Sequence, residues 1–227
     1  MKVLGFDTAQ AACSVALWHD GEIAAAAFRR LERGHAEHLL PMAEALRRDG
    51  GFAYADVDAF AATVGPGTFA GVRIALSAAR AFGLANQKPV IGITTLEAIA
   101  AAVEEDCEGP LVAAIDARRG EVYVQVFGPG PAPSTEPQRV ALAALGAALP
   151  QGALCAAGTG AELVCGVLPT ARRWRGPGEN PEPLPEARFV ATLAARALAE
   201  QGPDAFTEPP SPLYLRPPDA RLPGPRA

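Results

Sequence analysis

The most specific chemical signal in the sequence is a glycine-rich stretch, Val64-Gly65-Pro66-Gly67-Thr68-Phe69-Ala70-Gly71, between a predicted strand and a predicted helix. Glycines in such a turn let backbone N–H groups approach an anion at the helix N-terminus. The spacing is G-x-G-x-x-x-G rather than the G-x-G-x-x-G of dinucleotide sites, and the next strand, at 89–93, ends without an acidic residue to hold a ribose. A dinucleotide site is therefore the less favoured interpretation.

Two histidines could suggest a metal site. His35 and His38 share one face of a predicted helix at i, i+3, and the only other histidine is His19. Helical zinc pairs usually use i, i+4 spacing and need a third ligand. No Ser/His/Asp set or cysteine nucleophile has a recognisable local context either. We therefore predict no metal, no cofactor and no catalytic residues.

Composition and charge narrow the class of protein. The formal net charge of −5 argues against strong stand-alone binding of nucleic acid. The N-terminus, MKVLGFDTAQ, lacks the apolar core of a signal peptide, and no stretch is apolar enough for a membrane span. A cytoplasmic location is expected. The four cysteines, at 13, 107, 155 and 165, include no C-x-x-C pair and are expected to be reduced core residues.

The elements that must position these residues follow a β-β-β-α-β-α-β-α order. Short apolar or alternating runs predict the strands, and apolar residues at i, i+3, i+4 spacing predict the helices. The predicted strands span 2–7, 13–18, 22–28, 58–64 and 89–93, and the predicted helices span 34–49, 69–85 and 94–105.

The pattern partly restarts after a polar boundary at 106–110. A strand at 111–116 ends in Asp116, as the first strand ends in Asp7, and 121–127 alternates as a strand should. Further on, the sequence predicts a helix from Val140, a strand at 154–157, a helix at 186–201, and loops at 169–185 and 203–212.

The helix predicted after the glycine-rich stretch carries a stripe of small residues. Gly71, Ala75 and Ala78 or Ala79 recur at about i, i+4 spacing, which lets another element approach closely. Val72, Leu76 and Phe82 add apolar contact, and Arg73 and Arg80 add polar contact. Two interpretations remain open, packing inside the protein and an interface with a partner.

Three pieces of the sequence together resemble the TsaB family, also called YeaZ. They are the Asp7-Thr8 strand end with its hairpin, the stretch at 65–74, and the closing Pro212-Leu213-Tyr214-Leu215-Arg216. The resemblance covers the first 127 residues and this C-terminal Tyr-Leu-Arg. It implies an α/β fold of two ribonuclease-H-like lobes of the actin, Hsp70 and sugar-kinase type. The expected boundaries are 1–106 for a partner-binding N-terminal lobe, 107–216 for a reduced C-terminal lobe, and 217–227 for a flexible tail.

The resemblance also implies a function. The family supplies a non-catalytic subunit that pairs with the TsaD subunit of the bacterial machinery for threonylcarbamoyladenosine at position 37 of transfer RNA. It further suggests a TsaE-like ATPase reached through the complex, self-association of the chain alone, and contact with tRNA only through the complex. The expected interface residues are His35, Leu39, Phe69, Gly71, Val72, Arg73, Ala75, Leu76, Ala79 and Arg80.

Enzymatic alternatives fit the residues less well. Thr95 and Ile99 stand where the related TsaD transferases have a metal-binding histidine pair, and neither is a useful ligand for a transition metal. The strand ends at Asp7 and Asp116 lack the glycine with which related kinases approach a phosphate. A small-molecule kinase or ATPase and a metallopeptidase-like protein remain the alternatives.

Overall fold

The computed structural model describes residues 1–103, 107, 109–128, 133–174 and 183–216. The first of its two sheets contains β1 (Lys2–Asp7), β2 (Ala12–His19), β3 (Glu22–Arg30), β4 (Ala59–Gly65) and β5 (Val90–Thr94), in the spatial order β3-β2-β1-β4-β5. β1, β2 and β3 form an antiparallel meander, and β4 runs parallel to β1 and to β5. All five strands predicted in the first 106 residues are confirmed.

The second sheet repeats this arrangement. It contains β6 (Leu111–Arg118), β7 (Glu121–Phe127), β8 (Gln138–Ala141), β9 (Leu154–Ala157) and β10 (Ala171–Arg173), in the order β8-β7-β6-β9-β10. β6, β7 and β8 are antiparallel, and β9 runs parallel to β6 and β10. The predicted restart of the pattern at Leu111 is therefore a structural repeat.

The α-helices differ greatly in length. They are α1 (His35–Asp49), α2 (Phe69–Asn86), α3 (Thr95–Ala101), α4 (Leu145–Ala148), α5 (Ala161–Val167) and α6 (Ala187–Gln201). Short 3₁₀ turns lie at Tyr54–Asp56, Leu142–Ala144 and Pro203–Phe206. None of the helices within the described residues is long and apolar enough to cross a membrane.

The helices cover both faces of the first sheet. α1 and α2 pack on one face, against side chains such as Leu4 and Phe6 of β1. α6 packs on the other face, where Val190 and Ala194 contact Val3. α3 lies between the two sheets, because Ala98 belongs to the core of the first and Leu96 to the core of the second.

Two sequence predictions in the second half are wrong. Val140 does not begin a helix, because it lies in β8 opposite Val122, and the helix starts only at Leu145. The stretch predicted as a loop at 169–185 contains the short strand β10. Both elements depend on pairing with neighbouring strands, which local composition cannot show.

The lobe boundary expected at residue 106 remains a prediction. α6, which that division assigns to the C-terminal lobe, packs on the first sheet. The C-terminal segment also returns there, since the backbone N–H of Leu213 donates to the carbonyl oxygen of Val64 at 2.7 Å. The expected tail at 217–227 lies outside the described residues.

The cysteine prediction requires a correction. Cys107 and Cys155 are joined by a disulfide, with 5.9 Å between their Cα atoms, whereas Cys13 and Cys165 are free. The two partners are 48 residues apart in sequence. They meet because Cys155, in β9, lies opposite Leu111 at the start of β6, which follows Cys107 in the chain. Sequence spacing could not reveal this proximity.

Candidate partner-binding face

The glycine-rich stretch opens α2 by close packing on the first strand. A Cβ atom at Gly71 would overlap the carbonyl oxygen of Thr8. The Thr8 hydroxyl donates to the carbonyl oxygen of Gly71 at 2.6 Å and accepts from the backbone N–H of Ala75 at 3.1 Å. Thr68 caps the helix, because its hydroxyl accepts from the N–H of Gly71 at 3.1 Å. Close approach of two protein segments therefore accounts for Gly71 without an anion.

The small-residue stripe of α2 faces the interior of the protein. Ala75 and Ala79 have no exposed surface, and they pack with the first sheet and α1. For Ala75 and Ala79 the structure therefore shows packing inside the protein, which is the first of the two interpretations that the sequence left open. Six of the ten expected interface residues are buried: Leu39, Gly71, Val72, Ala75, Leu76 and Ala79. In this conformation they expose almost no surface, and whether a partner contacts them stays a prediction.

The other side of the helix pair is open. An apolar groove of about 660 Å³ lies between α1 and α2. Its lining is Ala36, Leu39, Leu40, Arg73, Ile74, Ser77, Ala78, Ala81, Phe82 and Ala85. Leu40 is 52% exposed although it is a large apolar residue. Exposed apolar surface of this kind marks sites of protein interaction.

Of the remaining four expected interface residues, Arg73 lines this groove, whereas Phe69, Arg80 and His35 lie outside its lining. Phe69 is 60% exposed at the start of α2, and Arg73 is exposed one turn later. Arg80 is half-buried and donates through Nη2 to the carbonyl oxygen of Pro210 at 2.5 Å. His35 is half-buried, and its Nε2 donates to the carbonyl oxygen of Gln10 at 2.9 Å. Whether a partner contacts these four residues stays a prediction.

The two helix-start histidines have separate partners. His38 Nδ1 lies 3.4 Å from Arg29 Nη1, while His35 contacts Gln10. Within the described part of the chain, no cluster of three or more His, Cys, Asp or Glu side chains is placed to hold a metal ion. Thr95 is fully buried in α3, as is Ile99.

An aromatic cluster that the sequence did not predict borders the groove. Tyr214, from the C-terminal segment, stacks on Phe69 with 5.7 Å between ring centroids. Arg73 lies over the Phe69 ring, with Cζ 3.6 Å from its centroid, and its Nε donates to the Tyr214 hydroxyl at 2.7 Å. No local pattern predicts this contact, because residues 73 and 214 are far apart in the chain.

A second cavity, of about 550 Å³, lies between the two strand ends that carry Asp7 and Asp116. Asp116 lines it together with Gln10, Arg118, Tyr123, Thr159 and Arg216. The carboxylate of Asp116 is engaged by its own turn, with Oδ2 2.9 Å from Arg118 Nη1 and Oδ1 accepting from the Arg118 N–H at 2.7 Å.

Asp7 does not reach this cavity. It is fully buried, and Oδ1 accepts from Thr63 Oγ1 at 2.7 Å and from the N–H of Ala9 at 3.2 Å, while Oδ2 has no partner among the described residues. Burial raises the pKa of Asp7 from 3.8 to about 7, against the lowering effect of these two hydrogen bonds, and the charge of Glu186 adds to the rise. The carboxyl is therefore partly protonated at neutral pH.

The repeated strand order defines the class of protein. Two sheets of the order 3-2-1-4-5, each with helices on its faces, form the paired ribonuclease-H-like lobes of the actin, Hsp70 and sugar-kinase type. The chain belongs to the TsaB family, also called YeaZ. YeaZ from Pseudomonas aeruginosa is 30% identical and superposes with a TM-score of 0.77, covering 94% of this chain and 99% of that one.

Sequence comparisons agree with this membership. The tRNA threonylcarbamoyladenosine biosynthesis protein TsaB of Escherichia coli strain K12 is 42% identical over 124 residues, which is 54% of this chain and 53% of that protein. The match thus spans about half the length of the curated relative.

The chain also resembles the transferases themselves. A model of the family described as TsaD, tRNA N6-adenosine threonylcarbamoyltransferase, matches residues 29–129. The tRNA N6-adenosine threonylcarbamoyltransferase of Erythrobacter litoralis is 51% identical over 65 residues, 29% of this chain and 19% of that protein. The TsaD-matching region contains both α1 and α2.

Proposed function

We propose that this chain is a non-catalytic subunit in the formation of N6-threonylcarbamoyladenosine at position 37 of tRNA, and that it pairs with a TsaD-type transferase. The observation that carries the proposal is the open apolar groove between α1 and α2, inside the region that matches the TsaD family. Relatives named for this pathway support the role.

The choice of partner follows from the likeness between the two families. A TsaD-type protein is expected to have its own counterpart of α1 and α2, since the TsaD model matches this region of the chain. Two similar helix pairs can pack face to face about a pseudo-two-fold axis, so that each fills the other's groove. Burial of Leu40, Ile74 and Ala81 would then remove apolar surface from water.

The site geometry supports an accessory rather than a catalytic role. Asp7 is enclosed by protein, and Asp116 is paired with Arg118. In an ATPase or kinase these carboxylates would have to contact a metal ion bound to the phosphates of the nucleotide. Thr95 and Ile99, buried in α3, offer no ligand pair for the metal of a peptidase or transferase.

The proposed partner can be tested by co-purification with a TsaD-type protein from the same source. Leu40→Asp and Ala81→Glu place a charge in the groove, and we expect each to abolish co-purification and the modification of tRNA measured by mass spectrometry. Leu84→Asp is the matched control, because Leu84 is 84% exposed on the same helix but does not line the groove. Circular dichroism should show all three variants folded.

Two results would contradict the proposal. One is normal binding by both groove variants. The other is threonylcarbamoyl transfer or ATP hydrolysis by this chain alone. The same proposal includes a TsaE-type ATPase that joins through the complex, a cytoplasmic site of action, tRNA contact through the complex only, and self-association through the same groove when TsaD is absent.

A further inference from the structure

Arg73 is the single charged residue among those that line the groove between α1 and α2. The groove is otherwise apolar apart from Ser77. A guanidinium at the edge of such a surface determines which partner surfaces fit, because a buried charge without a counter-charge is strongly unfavourable.

The structure fixes the orientation of this guanidinium. Its Cζ lies 3.6 Å from the centroid of Phe69 and 5.7 Å from that of Tyr214, and its Nε donates to the Tyr214 hydroxyl at 2.7 Å. Tyr214 is held in turn by its neighbour Leu213, whose N–H donates to the carbonyl oxygen of Val64. The C-terminal segment therefore orients Arg73.

The terminal nitrogens of Arg73, Nη1 and Nη2, have no hydrogen-bond acceptor among the described residues and can bind one on a partner. In the part of the chain that the structure describes, no carboxylate forms an ion pair with Arg73, whose side chain donates through Nε to the Tyr214 hydroxyl. An oriented guanidinium fork matches the geometry of a carboxylate, and its fixed position reduces the entropy lost on binding. Arginine and tyrosine are also enriched among the residues that dominate interface energies.

We propose that Arg73 recognises an aspartate or glutamate side chain on the helix pair of the TsaD-type partner, and that Phe69 and Tyr214 are positioning residues for this contact. This inference rests on the proposed function. It assigns to Tyr214, in the C-terminal segment, a role in partner specificity. The partner must present an apolar helix face with one acidic side chain at the end that meets the start of α2.

Calorimetric titration of the chain with the TsaD-type partner tests the charge. Arg73→Met keeps the apolar stem of the side chain and removes the charge, and we expect affinity to fall about 30-fold or more. Tyr214→Phe keeps the stacked ring but removes the hydroxyl acceptor, and we expect a smaller loss of roughly 3- to 10-fold, about 1 kcal/mol. Arg48→Met is the control, because Arg48 is exposed on α1 outside the groove.

A cross-linking experiment tests the identity of the acceptor. In R73K a water-soluble carbodiimide can join the new amine to a carboxylate that contacts it. The chain contains only two natural lysines, Lys2 and Lys88, so background cross-links are few. At saturating partner, peptide mapping should find a cross-link from position 73 to one acidic residue of the partner. Replacing that acidic residue of the partner with lysine should restore binding to the R73E variant of this chain, because both charges are then reversed.

The outcomes separate this inference from the proposed function. If R73M binds like the wild type while Leu40→Asp abolishes binding, the carboxylate contact is wrong and the docking face stands. If R73K binds but forms no cross-link from position 73, the carboxylate contact is also overturned. If Leu40→Asp binds normally as well, the docking face itself is wrong.

Discussion

The two lobes share one strand order and differ in their helices. In the first lobe α1 has 15 residues and α2 has 18, whereas the corresponding α4 and α5 have 4 and 7. Long helices bury one face on the sheet and still leave a continuous apolar surface, as the groove between α1 and α2 shows. Helices of one or two turns have only enough apolar surface to cover their own sheet. The comparison therefore supports the proposed docking face on the first lobe.

The lobes are more alike where a helix begins. Gly71 packs on the backbone of β1 near Thr8, and Gly158, with φ of +97°, packs on Ala114 of β6 before α5 begins. In both lobes the helix start lies against the central strand so closely that a side chain would overlap a carbonyl oxygen. These glycines are needed for packing, whichever lobe carries them.

The aspartates at the ends of β1 and β6 also differ between the two lobes. Asp7 is fully buried, accepts hydrogen bonds from Thr63 and Ala9 and has a raised pKa, while Asp116 is partly exposed and paired with Arg118. Since side chains alternate along a strand, Asp7 lies on the same face of β1 as Gly5, which packs against α6.

The largest effect should come from filling the contact between α2 and β1. We expect Gly71→Val to prevent folding, since its side chain would overlap the carbonyl of Thr8, which directly follows β1. The cost should exceed the about 1–3 kcal/mol typical of overpacking. In the second lobe, Gly166→Ala in α5 has open space around it and should leave stability unchanged or raise it by up to about 1 kcal/mol. Thermal unfolding followed by circular dichroism compares them, and a folded, stable Gly71→Val protein would contradict the packing argument.

The second effect concerns the buried carboxyl. The pKa of Asp7 is higher in the folded protein, about 7, than the ordinary 3.8, so folding favours the protonated form. Its contribution to stability is present below pH 4 and is lost as pH rises through 7, by up to about 4 kcal/mol. Asp7→Asn stays neutral and should therefore be more stable than the wild type at pH 8, with the advantage disappearing towards pH 4. Denaturant unfolding across this range measures the difference, and a pH-independent difference would refute the raised pKa.

A disulfide is found only in the second lobe among the described cysteines. Closure of the loop between Cys107 and Cys155 should stabilise the protein by roughly 2–4 kcal/mol. We expect dithiothreitol to lower the melting temperature of the wild type and of Cys165→Ser, but not that of Cys155→Ser, which should melt lower from the outset. Detection of four free thiols in the non-reduced protein by mass spectrometry would rule out the bond.

The smallest effect should come from the aspartate of the second lobe. Asp116→Asn removes the charge that pairs with Arg118, whose side chain is 84% exposed, so the change in stability should be below about 1 kcal/mol. Titration with denaturant at pH 7 checks this value. A change in stability as large as the one predicted for Asp7→Asn would show that the two strand ends are equivalent after all.

Most of the first lobe could be predicted from local patterns. Alternation and short apolar runs located β1 to β5, and periodic apolar residues located α1 and α2 to within two residues. Thr68 lies just before the predicted helix in the sequence, and its side chain caps the N-terminus of α2. The second lobe was less predictable, because β8 and β10 are four and three residues long and form only by pairing with neighbours.

The sequence by itself determined that α2 carries a stripe of small residues and where that helix begins. Only the tertiary structure decided which side of α2 faces inward. A stripe of small residues allows close approach to the protein's own sheet as readily as to a partner helix, so spacing alone cannot separate the two. Thr8, which follows β1 and lies more than 60 residues earlier in the chain, bonds Gly71 and Ala75 and turns the stripe inward. Ile74, Ala78 and Ala81 are left to form the groove, and Tyr214 is brought to Arg73 by the same folding of distant segments.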